Sequence, residues 1–174
     1  MLSHVVAPTP WSIRAAVPLD EDFLWQMLFH AAHMSEDGER TADPAKRNPE
    51  LAHYVHAWGR PGDVGVIAEA RESGSRIGAA WVRLLSDEPH SIAYVDAATP
   101  ELAIAVVPDW AGKGVGSVLL DACLRACQPL YASVALSVRG SNPARRLYER
   151  AGFEVVRRAP NRVGGESLIM IVRF

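Results

Sequence analysis

The stretch from Leu102 to Ser117 constrains this chain more than any other. Leu102–Val107 is almost wholly apolar, the pattern of a strand covered on both faces. Pro108 stops it, and Gly112, Gly114 and Gly116 follow as an apolar stripe at helical spacing begins at Val115. A buried strand, a glycine turn and a helix in succession build an anion site. The first N–H groups of a helix have no internal partners. The helix dipole adds positive partial charge there, and glycines let a phosphate come close to the backbone. The amides of Gly112, Lys113, Gly114, Val115, Gly116 and Ser117 together suit a diphosphate. Lys113 adds a point charge.

Other nucleotide loops fit poorly. A Walker A loop needs GxxxxGK followed by Ser or Thr, which this segment lacks. A dinucleotide loop needs GxGxxG, but Gly116 falls one place early and Ser117 stands where the third glycine belongs. No acidic residue follows at the distance that a ribose contact requires. A glycine turn that merely packs a helix on a sheet is the competing structural explanation.

The rest of the composition sets limits. The chain has 174 residues, enough for one domain over 1–174 with a sizeable core. A net charge of -2 provides no bulk attraction to nucleic acid or anionic lipid. No apolar run approaches the roughly 20 residues of a membrane span, and the first residues lack the basic and apolar regions of a signal peptide. A cytoplasmic protein is expected, with partners that include neither nucleic acid nor membrane. Cys123 and Cys127 lie four apart on one helical face and read as buried free thiols.

The apolar pattern orders the elements. Ser12–Ala16 is a short strand, and Asp20, Glu21 and Asp22 open a helix striped by Phe23, Met27, Leu28 and Ala31. Met34–Asn48 reads as a long polar loop. Asn48-Pro49-Glu50 starts a second helix, through Leu51, Tyr54, Val55 and Trp58 to Gly59. Val64–Ala70 and Arg76–Leu85 form a hairpin about Ser73-Gly74-Ser75. A loop with Asp87, Pro89 and His90 precedes the buried strand. The helix after the glycine turn carries Val115, Leu119, Ala122 and Ala126. Ser133–Val138 is the next strand, and Asn142-Pro143 starts a helix that Gly152 ends. Phe153–Arg157 and Ser167–Phe174 close the sheet. The class is α/β or α+β, a sheet with helices packed on it.

Two blocks carry a resemblance. Ala111-x-x-Gly114-x-Gly116 resembles the pyrophosphate loop of the GCN5-related N-acetyltransferase (GNAT) family. The segment Leu136–Phe153, with Asn142, Leu147, Tyr148 and Gly152, is similar to that family's late strand, asparagine loop and LYE-x-x-GF helix. The element order fits over nearly the whole chain. The resemblance implies a mixed, mostly antiparallel sheet of six to seven strands flanked by four helices. It implies acetyl-CoA as co-substrate, with its pantetheine arm laid along Ile104, Ala105 and Val106 like an added strand. A backbone N–H near Val106 would polarise the thioester, and Asn142 would contact the coenzyme. One departure is Ala111, where the family carries Gln or Arg; Trp110 and Lys113 are candidates to compensate.

The implied reaction is attack of an amine, on a small molecule or peptide, directly on the thioester. Tyr148 matches the family's proton donor to the leaving thiolate; the alternative is a helix tyrosine packed in the core. The late-strand Glu of some members is Ser137 here. Glu101 is therefore the candidate base, directly or through water, set against an exposed strand-end carboxylate. His30/His33 and His53/His56 are spaced for one helical face but lack HExxH and any Cys partner, so no metal is expected. Trp25, Trp58 and Trp81 read as core. The acceptor region falls on 34–48, where Glu36, Asp37 and Glu39 are candidates to hold a cationic substrate. A non-catalytic acyl-CoA sensor is the alternative function, and an unrelated oxidoreductase is disfavoured by the glycine spacing. A monomer and a homodimer both suit the chain.

Overall fold

The computed structural model describes residues 7–85, 90–161 and 163–174. Asp87 and Pro89 of the expected loop lie outside the described residues. Seven strands form one sheet in the order β1-β2-β3-β4-β5-β7-β6. They are β1 (Trp11–Ala15), β2 (Val64–Ala70), β3 (Arg76–Arg83), β4 (Glu101–Val106), β5 (Ser133–Arg139), β6 (Glu154–Pro160) and β7 (Glu166–Arg173). Every neighbouring pair is antiparallel except β4 and β5. The α-helices among the described residues are α1 (Glu21–Ala31), α2 (Asp43–Arg47), α3 (Pro49–Ala52), α4 (Val115–Cys127) and α5 (Arg145–Arg150), with short 3-10 turns at Pro18–Asp20 and Pro108–Trp110.

The continuous apolar runs of the central strands follow from period-two alternation with both faces covered. Val66, Ala68, Ala80, Val82 and Leu102 pack in one core with α4. Ile67, Ala79, Trp81 and Ala103 face the other, with α1. Gly78 sets the distance between α4 and the sheet: a Cβ there would meet Leu119 Cδ1 at 2.9 Å and the Ala105 carbonyl at 3.1 Å. A side chain at this position would press on the Leu119 tip of α4 and on the β4 backbone.

Three expectations change. The buried stripe of α4 is Val115, Leu119, Leu120, Cys123, Leu124 and Cys127, with Ala126 exposed. The helix is turned so that its larger side chains face the core, which gains more from burying them. The 34–48 loop contains α2, started by Asp43 and Pro44, with Thr41 Oγ1 accepting from the Asp43 amide at 3.3 Å. The second predicted helix begins as expected, Asn48 Oδ1 accepting from the Glu50 amide at 3.0 Å, but α3 ends at Ala52. Beyond it the carbonyls of His53, His56 and Ala57 accept from the Arg83 guanidinium at 3.0, 2.7 and 3.3 Å. A buried arginine thus satisfies carbonyls that a continuing helix would have bonded to its own amides.

That arginine is 2% exposed and is paired with Asp63, 3% exposed, through bonds of 2.9 and 2.7 Å. Its guanidinium carbon also lies 5.5 Å from the Trp58 ring centre. Among the described residues no helix is long and apolar enough to cross a membrane.

Candidate functional site

The parallel contact of β4 and β5 is a single pair, Glu101 with Ala135. Past it the strands part. The β3 side of β4 stays paired through Val106, so among the described residues the β5 side of residues 102–106 has no strand partner. This corrects the expectation of a strand buried on both faces: Glu101, Leu102 and Ala103 are buried, whereas Ile104, Ala105 and Val106 are half-buried. A cavity of about 630 Å³ opens in the split, with Ile104 on one wall and Leu136, Ser137 and Val138 on the other.

The glycine turn stands just beyond the end of β4. Gly112 and Gly114 have φ of +72° and +86°, and a Cβ built on either meets nothing within 4 Å. Gly114 is the N-cap of α4 and brings no side-chain cap. Among the described residues no side chain caps the first-turn amides, and no carboxylate lies in that turn. Gly112, Lys113, Gly114 and Ser117 are exposed, Gly116 is half-buried and Val115 anchors the helix in the core. Lys113 Nζ lies 5.0 Å from the centre of the Trp110 ring, which meets Trp11 edge-on. Ala111 is exposed and has no polar side chain to offer a phosphate. These residues fit a coenzyme's diphosphate: the amides carry no side-chain cap, the glycines leave room, and Lys113 is the nearby cation.

The cavity brings together most of the remaining sequence-predicted residues. Tyr148 lies on its wall and is packed edge-on against Phe153 at 5.9 Å between ring centres. It is 8% exposed, and among the described residues its hydroxyl has no hydrogen-bond partner. Burial pushes its pKa up to about 12, so the phenol keeps its proton. Asn142 is on the same wall. Its Oδ1 accepts from the Ala144 amide, just ahead of α5, at 2.9 Å, and its Nδ2 lies 3.0 Å from His33 Nε2.

Glu101 is no exposed strand-end carboxylate. It is 1% exposed. Its Oε1 accepts from the Tyr54 hydroxyl at 3.1 Å and from the Ser91 hydroxyl. Burial raises its pKa, opposed by those two bonds and by the nearby His90. Tyr54 and Ser91 both line the cavity, so the carboxylate sits directly behind its wall.

Two of the three loop carboxylates are already paired within the chain. Asp37 takes both bonds from Arg139 at 3.1 and 3.0 Å, and Glu36 meets Arg139 at 3.3 Å and His33 Nδ1 at 3.2 Å. Glu39 lies outside the cavity wall. These pairs tie the α1–α2 connection to the end of β5 across the cavity. His33, at φ +55°, is the strained residue at that crossing. His30 also faces the cavity, and burial lowers its pKa. His53 and His56 are engaged through their carbonyls. Among the described residues no group of His, Cys, Asp and Glu could hold a metal. Cys123 and Cys127 are free and buried.

Sequence reasoning missed Ser91, Tyr54, Arg139 and the Asp63–Arg83 pair. Only the last had a legible signal. Val64 pairs with Val82 in the hairpin, so its register alone makes Asp63 and Arg83 neighbours across the two strands.

The chain is similar to known proteins in sequence and in fold. Residues 61–155 match the sequence profile of the acetyltransferase (GNAT) domain. Over 133 residues the chain is 33% identical to the mycothiol acetyltransferase of Propionibacterium freudenreichii subsp. shermanii, covering 73% of this chain and 38% of that protein. The chain thus spans well under half the length of this curated relative. A GCN5-related N-acetyltransferase from Kribbella flavida superposes with a TM-score of 0.69 at 19% identity, covering 97% of this chain and 100% of that one. The yncA protein of Salmonella typhimurium, solved with its cofactor acetyl-CoA, superposes with a TM-score of 0.68 at 24% identity, covering 94% and 93%. At such identities the structural likeness shows the fold, and the profile match, which spans more than half of the chain, shows the family. The chain belongs to the GNAT family of acetyltransferases.

Proposed function

We propose that the chain transfers the acetyl group of acetyl-CoA to the amine of a small molecule or peptide, by direct attack with both substrates bound. The observation that carries this is the parting of β4 and β5 after one pair, beside an open glycine turn. An extended arm with amide groups enters such a slot as an added strand, while its diphosphate meets the amides of α4. The acetyl-CoA held by the yncA neighbour and the activity named for the curated relative support the same donor and reaction class.

The coenzyme supplies an activated thioester, and the chain's own groups do the rest. The backbone N–H near Val106 donates to the thioester oxygen as charge builds there. Tyr148 holds a proton for the departing sulfur. Glu101 takes the proton of the acceptor amine. Its raised pKa makes it a stronger base than an ordinary carboxylate.

Mass action requires acetyl-CoA, and not NAD, to raise the melting temperature. Thiol release with a panel of amines then tests turnover. The panel is an alanine-initiated peptide, a lysine side chain, spermidine, an aminoglycoside, an amino sugar and the amine acceptor of mycothiol acetylation. Ala111 favours a second reading, a sensor that binds acyl-CoA without turnover. Binding with no thiol release across the panel would support that reading.

Two variants separate the proton roles. Tyr148→Phe is expected to lower kcat about 100-fold, within the usual range for a general acid. Its acetyl-CoA affinity should be retained, because the hydroxyl makes no other bond among the described residues. In the native chain Tyr148 stays protonated throughout the ordinary assay range, its pKa being about 12, so no alkaline loss of rate arises from it. Glu101→Gln is expected to lower kcat/KM about 100-fold and to abolish the acid limb of the pH–rate profile. The sign follows from the role. A base works only when deprotonated, and burial raises the pKa of Glu101. The native rate therefore falls with decreasing pH, through a value above the ordinary carboxylate range. A native profile flat down to that range would remove Glu101 from this role.

A further inference from the structure

Glu101 is separated from the cavity that would hold the acceptor. It is 1% exposed, and the wall in front of it is made by Tyr54 and Ser91. Both hydroxyls donate to the same oxygen, Oε1. A proton passing between the cavity and this carboxylate has to cross one of them. The two differ in what else holds them. Tyr54 is fixed at its main chain, where its carbonyl accepts from Trp81 Nε1 at 2.8 Å. Its phenol is half-buried beside a carboxylate, and desolvation and that charge both raise its pKa. It keeps its proton and orients Glu101. Ser91 carries a freely rotating hydroxyl that both donates and accepts. Besides its bond to Glu101, its Oγ accepts from the Ala93 amide at 3.2 Å.

We propose that Ser91 is the proton carrier between the acceptor amine and Glu101, with Tyr54 as the positioning residue. This rests on the acetyl-transfer reading above. The step balances within the chain. The acceptor ammonium gives a proton to Ser91 Oγ while the Ser91 hydroxyl gives its own to Glu101 Oε1. One N–H bond breaks, one carboxylic O–H bond forms, and Ser91 ends as it began. Glu101 returns the proton to solvent by the same route after product leaves.

The groups facing Glu101 are few. Tyr54 comes from the segment after α3, and Ser91 and His90 come from the β3–β4 connection. Arg83 is the cross-strand partner on β3, but its guanidinium is spent on Asp63 and the carbonyls of residues 53, 56 and 57. It stabilises the segment that carries Tyr54 without neutralising Glu101.

The test is a set of kcat/KM pH profiles, using the panel amine that the native chain acetylates fastest. Ser91→Ala is expected to lose about tenfold or more in kcat/KM, the low end of general-base effects, with acetyl-CoA affinity unchanged. The deficit should shrink as pH rises and the amine arrives neutral. Ser91→Thr, which restores the hydroxyl, should recover most of the rate. In a Glu101→Gln background, Ser91→Ala should cost nothing further, because the two act in one path. A loss that multiplies with that of Glu101→Gln would assign Ser91 to loop structure and overturn the relay. So would a Ser91→Ala profile within twofold of the native one. Absence of thiol release by the native chain with every panel amine would overturn the acetyl-transfer reading, and the relay with it.

Discussion

Coenzyme A is expected to leave the melting temperature of a Gly114→Val variant unchanged. Gly114 is the N-cap of α4 at φ +86°, a conformation that costs a β-branched residue about 1–2 kcal/mol. The fold can absorb that cost, since nothing lies within 4 Å of the new Cβ. The binding site cannot, because the isopropyl group fills the space where a phosphate would meet the first amides of the helix. Losing two charge-assisted bonds, each about 1.5–3 kcal/mol, corresponds to at least about 100-fold in affinity. Gly74→Val is the matched control. Gly74 has φ +69° and equally open surroundings, but it lies in the β2–β3 turn. It should lose comparable stability and keep its full response to coenzyme. Equal responses in the two variants would show that the α4 turn has no special part in binding.

The second large effect is on the fold. Asp63→Ala is expected to lower stability by about 3–5 kcal/mol, because it leaves Arg83 buried and unpaired. For a chain of this size that lowers the melting temperature by about 6–20 °C. Asp63 Oδ2 also accepts from the Gly59 and Arg60 amides at 3.0 and 2.9 Å, so the same change frees the turn that enters β2. Asp121→Ala gives the scale of an ordinary ion pair. Its partner Arg125 is 74% exposed, and its loss should barely register. Activity should fall with the first variant as well, because Arg83 anchors the carbonyls around Tyr54, and Tyr54 orients Glu101. Equal melting temperatures for the two variants would mean that the pair at Asp63 and Arg83 is no more than a surface bridge.

What could be seen in the sequence divides along a physical line. The glycine turn was legible because its chemistry is that of the backbone. Gly112, Gly114 and Gly116 specify the conformation, and the amides belong to the helix they start. The strands were legible because burial on one or both faces leaves a period. Gly152, at φ +96°, ended α5 where expected. Glu101 was visible as a carboxylate beside an apolar strand, but its burial was not. Its partners come from distant segments, Tyr54 47 residues away and Ser91 10 away, and no local pattern connects them. The same holds for α3: Asn48 and Pro49 mark its start, but its end depends on Arg83, which arrives from another strand. Glu36 and Asp37 looked available for a cationic substrate only because Arg139, which neutralises them, lies about 100 residues further on.

The most direct measurement is a titration of the 15N-labelled chain with coenzyme A, followed by amide resonances. The amides of Gly114, Val115, Gly116 and Ser117, together with those of Ile104–Val106, should shift in a saturable way, and Gly74 should stay in place. Saturable binding that moves other amides while leaving both groups unshifted would contradict a diphosphate seated at the start of α4 and an arm laid along β4.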